Sequence, residues 1–351
     1  MNKGVLYGLL AAVLFGASTP FAKVLVAQVP PVMLAGLLYL GSGVGLLGWF
    51  MLRRMAGGAR IAGAPAALSR RDLPWLAGAI FAGGVAAPVL LMIGLATTAG
   101  STAALLLNLE TVLTALLAWF VFREHFDGRL VFGMALIVIA GALLAVDRSS
   151  TFGASWGAVM IIGACLGWAI DNNLTRKVAA SDPTQIAGLK GLVAGAINVG
   201  AAIWLGAPAP SAGAILAAAS IGLVGYGVSL VLFVLALRHL GAARTGAYFS
   251  TAPFAGAALA LPLLQEAPPP VFWMAAALMA AGVWLHLSER HEHAHAHEGL
   301  RHNHSHKHDE HHRHAHEFPW NEAEPHAHEH GHGPFRHRHA HFPDIHHRHD
   351  H

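Results

Sequence analysis

Apolar residues run along the chain in ten stretches that are separated by short polar segments. The stretches cover 4–27, 31–52, 73–95, 101–122, 129–146, 155–175, 183–205, 211–236, 243–264 and 270–288. A helix needs about 20 apolar residues to cross the hydrocarbon core of a bilayer, and each stretch is close to that length. The pattern predicts an all-α membrane protein with ten transmembrane helices. Small-residue pairs such as Gly41-x-x-x-Gly45 and Gly191-x-x-x-Gly195 would let those helices approach closely.

Positively charged residues are concentrated in alternate loops. The charged loops hold Arg53, Arg54, Arg60, Arg70, Arg71, Arg123, Arg129, Arg176, Lys177, Arg238 and Arg244. The intervening loops hold Arg148 alone. Because positively charged loops stay in the cytoplasm, we expect a multi-pass inner-membrane protein with both termini cytoplasmic.

The composition agrees with a membrane environment. Hydrophobic residues make up 55% of the chain and charged residues 12%, whereas a soluble domain carries about 25% charged residues. The arginines are scattered over short loops and form no basic face, which argues against nucleic acid as a partner. No nucleophile–base arrangement or nucleotide-binding loop is recognisable, so the sequence does not indicate an enzyme.

The chain contains an internal repeat. The stretch from Gly100 to Glu124 aligns without gaps with the stretch from Ala242 to Glu266, with an acid at the end of each. The repeats predicted from this alignment cover residues 1–147 and 148–288, with five spans each. Five is an odd number, so the second half has the opposite orientation. Inverted repeats of this kind place a substrate site near the membrane midplane, between the halves.

The alanine-rich segment, the stretch NLETVLTALLAWFVFRE and the terminal glutamate of each half resemble the drug/metabolite transporter superfamily, EamA type. The resemblance covers nearly all of residues 1–288. It implies ten helices, a central cavity, alternating access, a small-metabolite substrate and no required cofactor. Members of this family usually have a proline after the acid of span four. Here Thr111 follows Glu110, and the second half has Pro253 after Ala252, which leaves the bend of the first-half helix open.

Glu110 is the clearest polar residue within a predicted span. It lies nine residues into the fourth span, roughly 14 Å along the helix and near the midplane. An ionisable group there costs at least about 2.5 kcal/mol on insertion scales, so it normally faces a cavity. We interpret Glu110 as a ligand for a substrate cation or as a proton carrier. A structural acid held by a neighbouring helix is the alternative.

A second polar group lies in span six, where Asp171, Asn172 and Asn173 follow one another. At a similar depth in span seven, Lys190 is expected to form an ion pair with Asp171. This pair is either a static brace or a gate that breaks during transport. For Asn173, a polar helix end is the simpler interpretation.

Further polar residues complete the predicted substrate path. Asn108, Asn198 and Tyr248 are candidates, although each is equally well interpreted as a helix–helix hydrogen-bonding group. Lys23 lies in the outer third of span one and is expected to extend toward the outer interface. The predicted path therefore comprises Glu110, Asn108, Asp171, Asn172, Lys190, Asn198 and Tyr248.

Residues 289–351 are predicted to form a disordered cytoplasmic tail, because they contain too few apolar residues for a core. Residues 291–351 hold 23 of the 26 histidines. Imidazole is a common ligand of Zn, Ni, Co and Cu, so we expect loose, exchangeable binding of these metals. The predicted ligands begin with His291, His293, His295, His297, His302, His304, His306, His308, His311, His312, His314 and His316.

Three functions fit these observations. The first is secondary transport of a small metabolite or cation across the inner membrane, with a metal-binding tail. The second is transport of a divalent metal (Ni, Co or Zn) with the tail as collector, although the spans contain no histidine cluster. The third is a membrane metal buffer or sensor. The expected partners are a small-molecule or ion substrate and the lipid bilayer, and a homodimer is left open.

Overall fold

The computed structural model of the protein describes residues 3–55, 72–122, 128–146, 155–175 and 183–287, and four short segments of the C-terminal region. Its helices are α1 (Lys3–Val26), α2 (Pro31–Met55), α3 (Leu73–Ala79), α4 (Ala87–Thr97), α5 (Gly100–Leu106), α6 (Leu109–Phe122), α7 (Gly128–Ala145), α8 (Trp156–Thr175), α9 (Pro183–Trp204), α10 (Ala212–Ile221), α11 (Ser229–Phe249), α12 (Ala252–Leu263) and α13 (Pro270–Leu287). Two π-helical segments, Ile80–Ala86 and Gly222–Val228, join α3 to α4 and α10 to α11. The predicted all-α membrane fold is confirmed.

Eight helical stretches of the described chain are long and apolar enough to cross a membrane, and α12 and most of α13 form two shorter apolar helices. Most of the predicted spans agree with the observed helices to within a few residues. The total of ten crossings stays a prediction. The clearest difference lies between the predicted spans 211–236 and 243–264, where the structure continues α11 to Phe249 instead of opening into a loop.

The chain nevertheless reverses its direction within α11. A Cβ atom placed on Gly8 would lie 3.7 Å from the Cβ of Ala236 and 3.2 Å from the Cβ of Tyr248. In a straight helix these two residues would be about 18 Å apart, at 1.5 Å per residue. Both can approach Gly8 only if the backbone turns back between them. The change of direction predicted between the spans 211–236 and 243–264 is therefore present, but the residues that make it keep helical hydrogen bonding.

Local features of the two halves, residues 1–147 and 148–288, recur at a constant separation. The second π-helical segment, Gly222–Val228, begins 142 residues after the first, Ile80–Ala86. Helices α7 (Gly128–Ala145) and α13 (Pro270–Leu287) are separated by the same 142 residues at both ends. The separation equals the offset of the sequence alignment that pairs Gly100 with Ala242.

The two halves are interwoven. Helix α1 packs against α11, α12 and the π-helical segment of the second half, and α8 packs against α3, α4 and α6 of the first half. Equivalent helices meet in the pairs α2–α9 and α7–α13, and α5 of the fourth span packs against α12 of the ninth. Each half therefore lends its first helix to the other half, so the polar residues of α8 face helices of the first half.

Glycines allow α2 and α9 to approach closely. A Cβ on Gly191 would lie 2.8 Å from the backbone nitrogen of Gly43, and one on Gly195 would lie 2.6 Å from that of Leu40. Both distances are too short for a real side chain. The Gly191-x-x-x-Gly195 pair of the sequence is thus located at this helix crossing, where close backbone contact stabilises packing in lipid.

Large apolar side chains cover the outside of the helices, while polar ones are buried. Phe120 is 75% exposed and Trp204 is 85% exposed, whereas Asp171 is 6% and Asn198 is 1% exposed. This is the reverse of the arrangement in soluble proteins. Exposed tryptophans near helix ends, typical of membrane interfaces, are Trp75, Trp119, Trp156, Trp204, Trp273 and Trp284.

Four short strands are described in the C-terminal region. They are β1 (Glu292–His297), β2 (Arg301–His306), β3 (His326–Gly331) and β4 (Phe335–Ala340), with β1 antiparallel to β4 and β2 antiparallel to β3. Alternation of histidine with other residues has the two-residue period of a strand. The disordered tail over residues 289–351 stays a prediction. The predicted ligands His291, His308, His311, His312, His314 and His316 lie outside the described residues.

We predict that Gly191→Ala lowers the melting temperature of the detergent-purified protein, because overpacking a close crossing costs about 1–3 kcal/mol. Gly200→Ala on the same helix is the matched control, since a Cβ at Gly200 meets nothing within 4 Å. It should leave the melting temperature unchanged or raise it, because alanine has the higher helix propensity. Equal losses in both variants would contradict the close crossing.

Candidate functional site

The fourth span is broken in the middle, between α5 and α6. The amide of Asn108 donates to the carbonyl of Leu105 (3.0 Å) and the amide of Glu110 donates to that of Leu107 (3.1 Å), so both bonds span three residues instead of four. The side-chain amide of Asn108 also donates to the Leu105 carbonyl, at 3.1 Å. Competition of this kind between side chain and backbone favours a turn. The break places Glu110 in the first turn of α6, where the helix dipole favours a negative charge.

The break leaves the carbonyl of Leu106 without its helical partner, because the Glu110 amide is used by Leu107. The thiol of Cys165 on α8 lies 3.6 Å from this carbonyl oxygen and satisfies it. The first-half helix therefore bends without the proline that the resemblance leads one to expect after Glu110. Asn108 and Cys165 supply the compensation instead.

The second half breaks at the equivalent place, between α11 and α12. The amide of Thr251 donates to the carbonyl of Tyr248 across three residues (3.2 Å), and the Thr251 hydroxyl donates to the same carbonyl at 2.6 Å. Pro253, in the first turn of α12, has no amide hydrogen to offer the preceding turn. The two broken helices thus differ in their chemistry but share their position in the repeat.

Glu110 is connected to the other half through Asn172. The Nδ2 atom of Asn172 donates to Oε1 of Glu110 at 2.9 Å and lies 3.4 Å from Oγ1 of Thr114, one turn further along α6. Asn172 is exposed, although it lies two residues after Ile170 on α8. Two residues correspond to about 200° around a helix.

Ile170 belongs to the lipid-facing surface of α8, together with the exposed side chains of Leu166 and Val159. Because Asn172 points to nearly the opposite side of the helix, its exposed amide faces the interior between the halves. Glu110, Thr114 and Asn172 therefore line an accessible polar surface within the bundle.

Asp171 and Lys190 form the ion pair that the sequence predicts. The Lys190 Nζ lies 2.6 Å from each carboxylate oxygen of Asp171, and the Thr175 hydroxyl donates to Oδ1 at 2.9 Å. The Lys190 side chain is 17% exposed and the Asp171 side chain is 8% exposed. Asp171 packs directly against Gly83 of the first half, where a Cβ atom would collide with its side chain. Both partners of the pair belong to the second half.

The first π-helical segment contains a carbonyl near this pair that lacks a backbone hydrogen-bond donor. The amide of Ala87 donates to Ala82, and Pro88 has no amide hydrogen, so the carbonyl of Gly83 has no backbone donor in the helix. The Tyr39 hydroxyl (2.8 Å) and the Trp168 Nε1 (2.9 Å) donate to it instead.

An aromatic wall joins the halves beside these groups. The Tyr39 ring lies 5.8 Å from that of Tyr226, which lies 5.7 Å from that of Phe15. The Trp168 Nε1 is also 3.4 Å from the Tyr39 hydroxyl. Sequence reasoning missed Tyr39, Trp168 and Thr114. Pro88 could have indicated Tyr39 and Trp168, because it leaves the Gly83 carbonyl in need of side-chain donors. Thr114 could have been found from its position one turn after Glu110.

The structure does not bring every predicted path residue into this group. Asn108 is buried and bonds to its own turn. Asn198 is 1% exposed and donates to the carbonyls of Gly84 and Val85, at 3.3 Å each. Tyr248 packs near Gly8. These three serve backbone and packing contacts, while Glu110, Asp171, Asn172 and Lys190 cluster. Among residues with described side chains, there is no group of three His, Cys, Asp or Glu that could hold a metal.

Comparison with known proteins gives three findings. A model of the EamA-like transporter family matches residues 2–146 and 155–288. A relative from Methanothermobacter thermautotrophicus, described as an uncharacterized transporter, is 26% identical over 288 residues, covering 78% of this chain and 83% of the relative. One solved crystal structure is similar with a TM-score of 0.59 at 19% identity, covering 81% of this chain and 95% of its own. That last similarity concerns the fold alone.

We predict that Lys190→Met destabilises the protein more than the double variant Asp171→Asn/Lys190→Met does. Removing one partner of a buried pair leaves an uncompensated charge and costs about 3–5 kcal/mol, whereas removing both charges costs much less. A double-mutant cycle on melting temperatures in detergent measures the coupling. Purely additive effects would show that the pair does not stabilise the fold.

Proposed function

Because the chain belongs to the EamA-like transporter family, we propose that it moves a small metabolite or cation across the inner membrane by alternating access. The coarser statement, that it is a multi-pass membrane transporter, follows from the family. The concentration of positively charged residues in alternate loops supports cytoplasmic termini. Two interwoven halves with broken helices at equivalent positions fit the architecture in which substrate binds between repeats.

The observation that carries the proposal is the 2.9 Å hydrogen bond from Asn172 to Glu110. It lies at the break of the fourth span, between helices of different halves, and faces the accessible interior. A carboxylate in this position can bind a cationic group of the substrate or carry a proton. Thr114 and Asn172 supply further hydrogen-bonding groups on the same surface.

Asp171 and Lys190 act as a brace in this proposal. The Lys190 Nζ reaches both carboxylate oxygens of Asp171 at 2.6 Å, and the pair is largely buried. The ion pair fixes α8 against α9 and holds Asn172 at the height of Glu110.

We predict that Glu110→Gln abolishes transport without lowering membrane abundance, because glutamine keeps the shape but neither the charge nor the proton. The substrate is identified by comparing untargeted metabolite profiles and metal contents of cells with and without the wild-type chain. A compound whose cellular level changes with the wild type should keep the level of cells lacking the chain when they carry Glu110→Gln.

Phe120→Leu is the matched control for this experiment, since Phe120 is 75% exposed on the outer surface of α6 and makes no contact used in the proposal. It should behave like the wild type. A wild-type change in the compound's level with Glu110→Gln at equal abundance would remove Glu110 from the mechanism.

A second function, transition-metal binding by the C-terminal region, is favoured by the 23 histidines after residue 290. The tail would collect metal for transport, sense it, or buffer it. These roles differ in what happens when residues 291–351 are removed. A metabolite carrier keeps its flux, a collector loses uptake at low metal, and a buffer loses its effect entirely.

We predict that the full-length protein binds several Ni²⁺ ions at pH 7.5 and that a chain ending at residue 290 does not. Neutral imidazole binds metal and imidazolium does not, and an unperturbed imidazole titrates at about pH 6.5. Binding should therefore be present above that pH and be lost as the pH falls to about 5.5. Titration calorimetry in detergent measures both effects. Equal binding by the truncated chain would contradict the proposal.

A further inference from the structure

A carboxylate of the second half caps a helix of the first half at one end of the bundle. The two oxygens of Glu266 accept hydrogen bonds from the backbone amides of Gly100 (2.6 Å) and Ser101 (2.9 Å), which begin α5. The residue before α5, Ala99, offers no side-chain cap. The first turn of α5 therefore receives its cap from a residue more than 160 positions away. Charge-assisted bonds to helix amides are among the stronger hydrogen bonds in proteins.

The backbone that presents Glu266 is held in an unusual conformation. Gln265 has a φ of 52°, in the left-handed region that non-glycine residues rarely adopt. The amide of Glu266 donates to the carbonyl of Leu261 at 3.0 Å, which ends α12 and turns the side chain toward α5. Such a conformation persists only where the surrounding contacts hold it.

Lys23 adds a second contact at the same end. Its Nζ donates to the carbonyl oxygens of Leu95 (2.5 Å) and Ala96 (3.4 Å), at the end of α4. The carboxylate of Glu266 attracts the same ammonium group. The short α4–α5 hairpin is thus held by α1 through Lys23 and by the end of α12 through Glu266. The sequence expectation that Lys23 simply extends to the interface differs from this arrangement.

We propose that Glu266 and Lys23 form a releasable latch that closes this end of the path between the halves. The proposal rests on the transport function proposed above. Alternating access requires the halves to separate at each end in turn. Here the α4–α5 hairpin and α12 belong to different halves, and Glu266 is the charged group that ties them. Lys23 acts from α1, which packs against α12, so opening this end breaks the two bonds of Glu266 together with the contacts of Lys23.

Two features favour a contact that opens over a permanent one. Gln265 keeps its left-handed backbone only while the surrounding contacts hold it. Within the described residues, the Ser101 hydroxyl is buried and has no hydrogen-bond partner. A closed state that leaves a buried hydroxyl unpaired is costly. The charge-assisted bonds of Glu266 stabilise the closed latch, while the backbone of Gln265 and the unpaired hydroxyl of Ser101 destabilise it. Opposing contributions of this kind are what a reversible contact requires.

The test uses Ser101→Cys as a reporter in a Cys165→Ser background. Ser101 is 0% exposed in the closed arrangement, so a membrane-impermeant maleimide reaches the thiol only when this end opens. In proteoliposomes, Glu266→Gln should raise the labelling rate about tenfold, because the loss of one charge-assisted hydrogen bond shifts an opening equilibrium by that order. The increase should occur from one side of the membrane only. Lys23→Met should act in the same direction.

Gln265→Gly is the matched control, since it relieves the left-handed strain and keeps the carboxylate. It should label no faster than the reporter alone. Labelling rates unchanged by both Glu266→Gln and Lys23→Met, in protein that melts cooperatively, would reduce Glu266 to a static cap and overturn the proposal. Faster labelling from both sides would mean general loosening and would also overturn it. Because labelling needs no substrate, the latch stands or falls independently of the Glu110 transport assay.

Discussion

Lipid offers no hydrogen bonds, so every backbone or charged group that leaves regular helix geometry must find a partner inside the protein. The interior of this transporter follows from that constraint. The break before α6 frees the Leu106 carbonyl, which Cys165 satisfies, and the first π-helical segment frees the Gly83 carbonyl, which Tyr39 and Trp168 satisfy. Asn198 serves the next two carbonyls. With these groups satisfied, Glu110 and Asn172 are left on the accessible surface between the halves.

The depth of a polar residue along its span could be predicted from the sequence, whereas the side of the helix on which its side chain lies could not. Depth was sufficient to pair Asp171 with Lys190 and to select Glu110. It could not separate Asn172, which faces the interior, from Asn198, which is used up by backbone carbonyls, because that distinction depends on helix rotation. Tyr39 and Trp168 were missed because a π-helical segment has no characteristic spacing, although Pro88 removes the donor that would otherwise occupy Gly83. The missing proline also left the first-half break unpredicted, and there the Asn108 side chain bonds to the carbonyl of Leu105 instead.

The proposed transport requires the site to be reached from each side in turn, and the packing indicates which contacts such a movement would change. Helix α1 packs against the second half and α8 against the first, so the helices that pack together are not the two sequence halves. Glu266 and Lys23 hold the α4–α5 hairpin from α12 and α1, two helices that pack against each other. Under the proposed mechanism these contacts would be the ones broken at this end.

The central claim is that the surface around Glu110 and Asn172 is reached by water between the halves. Thiol labelling tests it most directly, with Asn172→Cys and Ile170→Cys compared in a Cys165→Ser background. The two positions lie at nearly the same depth on α8 and on nearly opposite sides of the helix. The account predicts that a water-soluble thiol reagent labels the cysteine at position 172 and fails to label the one at position 170. An unreactive position 172 in folded protein, or a reactive position 170, would contradict it.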